Sequence, residues 1–331
     1  MTELQLVPAC YVGWTAGMRD PAPTTDRGDT ALSDKVKPSS DLLMTPSADA
    51  RLDIGFANRP FFDYRPDAAP RPNVDALYTS DGIRITRDIT TAPADSDDHV
   101  HHKGIWCGHR DVNGADVWTE FEGHGRIVSV APAETTLEGG VERVAHATRW
   151  LAADGTPLLD ELRVLSASAP AADGSQTLDI ESVLRASGDA VVLGDTKEAG
   201  LVAIRVTPAL EERRGGRIEL SSGAIGEAAA WGKSEDWCDY SGSIGGAVVG
   251  VAIFDHPGNP RPAYWHVRDY GLMAANPFGL ADFTEDASAN GSLTVQPDAD
   301  VRFRYRVLVH LGDAAQADVA GHYARYLAEE G

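Results

Sequence analysis

From Val301 to Val309 every second residue is apolar: Val301, Phe303, Tyr305, Val307 and Val309, with Arg302, Arg304 and Arg306 between them. Successive side chains on a strand point to opposite faces. A period of two therefore predicts a strand with one face in a core and the other toward water. The same period marks Leu158–Val164, Leu178–Leu184 and, with Ile83, Ile85 and Arg87 on one face, Gly82–Ile89. Shorter extended segments are expected at Leu52–Ile54 and along the aromatic, proline-bearing stretch Arg59–Tyr64. Asp154-Gly155, Asp173-Gly174 and Gly215-Gly216 are turn signals at hairpin-like spacing. No alternation of strands with helices is visible. The one strong helical pattern is the tail Ala314–Glu330, where Val319, Tyr323 and Leu327 recur every fourth residue. The expectation is an all-β fold: a large antiparallel β-sandwich with a C-terminal helix, its polar motifs carried on loops at one edge. Residues 51–331 read as a single sandwich domain. Residues 1–50, rich in Pro, Asp, Ser and Thr over their later part, read as an irregular arm with Leu42, Leu43 and Met44 as an apolar anchor.

Charge narrows the partners. The formal net charge is −21, which disfavours nucleic acid and anionic membrane surfaces and favours a small neutral or weakly charged ligand. The longest apolar run, Gly245–Phe254, falls far short of the roughly 20 residues a spanning helix needs, so no membrane partner is expected. Three cysteines, Cys10, Cys107 and Cys238, make a poor disulfide framework and suit a reducing compartment. With no basic, apolar leader at the N-terminus, the expected location is the cytoplasm. Self-association stays open.

Four blocks depart from plain strand patterning. The first is Asp98-His99-Val100-His101-His102-Lys103-Gly104-Ile105-Trp106, running on through His109, Asp111, Asn113 and Trp118; it holds four of the ten histidines. Histidine titrates nearest neutrality, and a cluster of it among carboxylates suits proton transfer or metal ligation. The second is Gly194–Gly200, with Lys197 and Glu198 between glycines. The third is Trp237-Cys238-Asp239-Tyr240-Ser241-Gly242. The fourth runs from Asp255-His256-Pro257-Gly258-Asn259-Pro260-Arg261 through Trp265–Gly271 to Asn276-Pro277-Phe278-Gly279. No Gly-x-Ser-x-Gly elbow, phosphate-binding loop or dinucleotide fingerprint is present, which disfavours a serine hydrolase, an NTPase and a nicotinamide enzyme.

Taken in order, these elements resemble the bacterial family labelled PmoA-like, or methane oxygenase PmoA. The resemblance covers roughly residues 55–311 and rests on Asp98–Trp106 (Lys103 standing where arginine is common), Asp111–Asp116, Trp237–Gly242, Trp265–Gly271 and Asn276–Gly279. The membrane oxygenase subunit of that name is a poor guide to a chain with no spanning run. The resemblance implies instead a mutarotase-like supersandwich and carbohydrate chemistry, with 3-keto sugars as candidate substrates.

On that basis the candidate acid–base residues are His101, His102, Lys103, His256, His266, Lys197 and Glu198. Candidate sugar contacts are His109, Asp111, Asn113, Trp118, Trp237, Asp239, Tyr240, Arg268, Asp269, Tyr270, Asn276 and Phe278. Aromatic faces stack on sugar C–H faces while carboxylates, amides and arginines bond to hydroxyls. His99 and His101 would share a face if the block were a strand, with His102 opposite. A divalent metal, if one is used, would fall to His99, His101 and His256; no other cofactor is implied. The expected function is a carbohydrate lyase or hydrolase acting on a 3-keto glycoside. A mutarotase-like epimerase and a sugar-binding or accessory protein without turnover are the alternatives. A histidine base of ordinary pKa would give activity an acid limb near pH 6 to 7, around the unperturbed ~6.5.

Overall fold

The computed structural model describes residues 51–89 and 98–329. The arm expected over residues 1–50 lies outside them. The described residues belong to one unit, Ser40–Gly331. Every strand pairing is antiparallel, and two large sheets result. The first has seven strands in the order Leu52–Phe56, Arg59–Arg65, Asn73–Leu77, Ile105–His109, Ala199–Arg205, Leu272–Asn276 and Tyr264–Arg268. The second has nine. Its main path is Arg217–Leu220, Trp237–Ile244, Ala247–Asp255, Val301–Leu311, Gln176–Ala186, Pro157–Ser168, Val141–Leu151 and Arg126–Ser129, and Glu134–Glu138 also pairs with Val141–Leu151. Val191–Leu193 and Leu293–Val295 form a separate two-stranded ribbon.

The alternating runs do what their period requires. Phe303, Tyr305, Val307 and Val309 enter a core that also takes Leu165, Ile180 and Val251 from the same sheet and Phe62, Ile105 and Val202 from the other. Each such side chain contributes roughly 1.5–3 kcal/mol by leaving water. On the opposite face Arg306 meets Asp179 at 2.6 Å and Arg302 meets Glu181 at 3.3 Å. Asp154 and Asp173 accept hydrogen bonds from Thr156 and Ser175, closing the hairpins on either side of Pro157–Ser168. Gly215 instead ends a 3₁₀ turn.

Two expectations need correction. Gly82–Ile89 forms only isolated bridges, Tyr78 with Arg84 and Thr86 with Val206. Its side chains bond locally: Thr86 Oγ1 donates to the Asp75 carbonyl and Arg84 reaches the carbonyls of Asp75 and Thr86. The C-terminal helix covers Val319–Ala328, capped by Asp318, whose carboxylate accepts from the Gly321 N–H. It buries Val319, Tyr323 and Tyr326 against Trp237, Phe254 and Leu308, while Leu327 faces solvent. No described helix is long and apolar enough to cross a membrane. Cys107 and Cys238 are free, buried thiols.

Candidate active site

Four neighbouring strands of the seven-stranded sheet lie next to the site. Trp106 pairs with Ala203, Ala203 with Ala274, and Ala274 with His266, so these four share one row and one face. Their strand neighbours Ile105, Val202, Ile204, Met273, Ala275 and Val267 point the other way, into the core. The row therefore lies on the outer face. Trp118 and Tyr270 pack with Trp106, Ala203 and Ala274 in one apolar cluster, and of this row only His266 borders open space. Two residues along, Arg205 and Arg268 flank Leu272 in the same manner.

Beside this cluster lies a cavity of about 430 Å³, whose lining includes His99, His101, Glu198, His266, Arg268 and Tyr270. That volume is in the range of small-molecule sites.

The histidine block reaches the cavity as a turn rather than a strand. His99 adopts φ 44°, and the His102 N–H donates to the His99 carbonyl at 2.9 Å. Gly104 must be glycine: at φ 55°, a Cβ would come within 1.9 Å of the Val74 carbonyl oxygen. One buried guanidinium clamps the turn, with Arg87 Nη2 donating to the carbonyls of His99 and His102 at 2.9 Å each. A second, Arg205, sits 3.4 Å from His102 Nδ1 and 3.3 Å from Asp98, and lies 4.7 Å from the Tyr270 ring centre. Arginine can only donate, so His102 Nδ1 accepts and the imidazole is neutral with its proton on Nε2. The rings of His99 and Tyr270, His99 and His102, and His102 and Trp106 are each stacked at 4.9 Å.

Burial decides the protonation of these histidines. His101 is pushed down to about 4, by desolvation first and then by the Arg71 guanidinium. His266 is pushed down to about 3, by desolvation and then Arg268. His102 lies well below its ordinary value for the same first reason. At neutral pH His101 and His266 present uncharged imidazoles to the cavity. Tyr270 is pushed up to about 12, mainly by burial, and stays a phenol.

The charged groups come from the other walls. Arg268 meets Glu227 at 2.9 Å, and Glu227 also accepts from the Asp269 N–H. Arg110 stands 3.8 Å from Asp116. Among the described residues, the Glu198 carboxylate has neither an ion-pair nor a hydrogen-bond partner, though it borders the cavity. Asn276 holds its segment in place: the amide donates to the carbonyls of Thr196 and Lys197 at 3.0 and 2.9 Å.

Residues 51–324 match the model of a family of unknown function, DUF6807. The chain belongs to that family. No curated protein matches the sequence. Among solved structures, it is similar to galactose 1-epimerase from Lactobacillus acidophilus NCFM at 7% identity and TM-score 0.34, over 82% of this chain and 99% of that one. A galactose mutarotase related enzyme from Lactobacillus acidophilus gives 7% identity and TM-score 0.30 over 76% and 95%. A candidate kojibiose phosphorylase from the human microbiome gives 8% and 0.33 over 62% of this chain, which spans only 25% of that protein's length. Likeness of this degree leaves activity to be argued from the site.

Within this DUF6807 chain, six residues expected to act line one cavity: His101, His266, Glu198, Arg268, Asp269 and Tyr270. His99, expected only as a metal ligand, lines it too; the others do not. His256 borders a separate cavity of about 320 Å³ with Asp236, Asp255 and Tyr323, its Nδ1 accepting from the Gly258 N–H. The metal set His99, His101 and His256 is therefore split, and no group of three or more His, Cys, Asp or Glu among the described residues is arranged to hold an ion. His102 packs behind the wall. His109 is interior against Phe278, its Nδ1 accepting from the Asp111 N–H. Lys103 is occupied by Glu120 at 2.7 Å. Lys197 does not reach the lining; its N–H donates to Asp282. Asp111 accepts from the Gly114 N–H to close a turn, and Asn113 accepts from the N–H of Val192 on a distant strand.

Trp118 and Phe278 are fully buried, and Trp237 lies under the C-terminal helix. Asp239 faces His310 at 2.7 Å in the other sheet, and the Tyr240 hydroxyl donates to the Arg268 carbonyl. Conversely, Arg110, Thr119, Phe121 and Glu227 line the cavity without having been singled out. Thr119 continues the first block and could have been read from it. Glu227 sits in a Gly- and Ala-rich stretch that carries no signal.

Proposed function

We propose that the chain is a carbohydrate-active enzyme that uses this cavity for acid–base chemistry on a 3-keto glycoside. One observation carries the reading: a carboxylate without a partner, Glu198, and two imidazoles held neutral, His101 and His266, border the same cavity of about 430 Å³. The aromatic wall of Tyr270 and His99 suits a sugar ring face, and the Glu227–Arg268 pair suits hydroxyls. The resemblance to the PmoA-like family points to the same substrate class.

A ketone at C3 acidifies the C2 proton. Glu198 takes that proton, and negative charge develops on the ketone oxygen. Neutral imidazole N–H groups stabilise such an oxyanion without first having to lose or gain a proton. The C2–H electron pair becomes the C1–C2 double bond, the C1–O bond breaks, and the departing oxygen takes the proton back from Glu198. The products are an enone and an alcohol. The test is release of alcohol and growth of enone absorbance from a 3-keto glucoside. Loss of both in Glu198→Gln, with sugar binding kept, supports the assignment. Tight binding by the wild type without turnover on native or oxidised sugars would make it a sugar-binding protein instead.

A further inference from the structure

Phe121 is an apolar cavity residue that this chemistry leaves unused. Its ring lines the cavity yet is 64% exposed. Single exposed apolar side chains are ordinary on a protein surface, but this one is held. The Phe121 N–H donates to Thr119 Oγ1, which donates to Asp116 Oδ2 at 2.6 Å. Its carbonyl accepts from the His124 N–H at 3.0 Å, and its neighbour Glu120 is tied to Lys103. The ring stands 6.3 Å from that of His101, inclined at 63°. Val100, between His99 and His101, is 55% exposed as well. An apolar, fixed edge thus borders the histidine wall of a cavity whose other walls carry Glu198, Glu227, Arg268 and Asp269.

We propose that Phe121 is a specificity-determining platform on which the ring of the departing alcohol stacks, so that the substrate class is glycosides of ring-bearing aglycones rather than simple alkyl ones. This rests on the reading of the cavity given above. The sugar undergoing reaction needs the polar walls, which leaves the exposed apolar edge for the group across the C1–O bond. Stacking on an aromatic face is worth about a 2- to 10-fold change in affinity.

Calorimetric titration of the full chain with the methyl and phenyl 3-keto glucosides tests it, in the wild type, Phe121→Ala and Phe121→Trp. The wild type should bind the phenyl glycoside about 2- to 10-fold tighter than the methyl one. Phe121→Ala should lose that preference with methyl affinity unchanged, and Phe121→Trp should keep it. A preference that survives in Phe121→Ala, or a wild type that binds neither glycoside, overturns the proposal. Turnover read on the same samples separates the two ideas. A preference that follows Phe121 without any turnover leaves the platform standing and removes the lyase; turnover with a preference that ignores Phe121 does the reverse.

Discussion

His310 and His101 are both buried, the first on the outer face of the nine-stranded sheet and the second on a turn beside the seven-stranded one, and the space around them differs. In the nine-stranded sheet, His310 Nε2 meets Asp239 Oδ2 at 2.7 Å, and the imidazole lies over Gly250, where a Cβ would come within 2.4 Å of the ring. The space above the small residue is filled by the histidine itself. In the seven-stranded sheet Ala203 and Ala274 lie in a cluster with Trp118 and Tyr270, and the histidines that border the open cavity, His266 and His101, stand on the edge strand and on a clamped turn. Both regions contain buried imidazoles and carboxylates, and both come from motif-rich sequence. Only the second leaves room for a substrate. Depth and residue type do not distinguish a site from a structural pair; the volume left between the groups does.

The sharpest way to break this contrast is Glu198→Gln. An acid–base group typically contributes about 10²- to 10⁴-fold, so turnover on a 3-keto glycoside should fall by that much while the melting temperature stays put. If turnover persists, Glu198 is not the base.

The two regions should also respond to pH with opposite sign. His101 is depressed to about 4, and His266 and His109 to about 3. Their contribution to stability is present above the unfolded value of ~6.5 and is lost as pH falls through 4 toward 3. Asp255, on the side of the C-terminal helix, is raised from 3.8 to about 6, chiefly by burial. Its contribution is full below about 4 and is lost as pH rises through 6, at most about 3 kcal/mol. Urea midpoints from pH 4 to 8 check this. Asp255→Asn should gain on the wild type by about that amount over the range; a constant offset would show that Asp255 does not titrate there. The same burial moves the expected acid limb of activity from the pH 6 to 7 of an ordinary histidine down toward pH 4 for His101. A limb at pH 6.5 would mean that an imidazole in the cavity still takes up a proton at its unperturbed pKa.

His310→Ala probes the filled side. Removing one partner of a buried hydrogen bond costs about 1–3 kcal/mol. The urea midpoint should drop accordingly, with turnover per folded molecule unchanged. Lost turnover at full stability would make the Asp239–His310 pair part of the machinery.

Much of this was legible in the sequence. Leu158–Val164, Leu178–Leu184 and Val301–Val309 show their period because one face packs and the other is solvated. Gly82–Ile89 has a similar pattern, yet Thr86 and Arg84 spend their polar groups on nearby backbone and no ladder forms. At the site, His101, His266 and the Arg268–Tyr270 turn stood out because polar groups interrupt strand patterning there. Glu227 and Arg110 did not, because what gathers them is the packing of a short helix and a strand end distant in sequence. The Trp237–Gly242 block misled for a related reason. Its outward face is covered by the C-terminal helix and by His310, and no local pattern announces that cover.

The smallest expected effect separates two halves of a single motif. Lys103 follows His102 directly, so motif reading treats them alike. Its ammonium nevertheless leaves the cavity side, meeting Glu120 at 2.7 Å and donating to the Ala69 carbonyl at 3.2 Å, with both partners of the ion pair about a fifth exposed. A pair that close to solvent contributes about 0.2–1 kcal/mol. Lys103→Ala should therefore shift the urea midpoint slightly and change turnover by less than the 10²-fold floor of an acid–base group. Lys103→Arg, which keeps the charge, should be silent in both. If Lys103→Ala instead abolishes turnover with stability intact, the reacting atoms lie on the Lys103–Glu120 side of the histidine turn. The cavity beside Glu198 would then be the filled structural region, and the contrast drawn with His310 would have to be reversed.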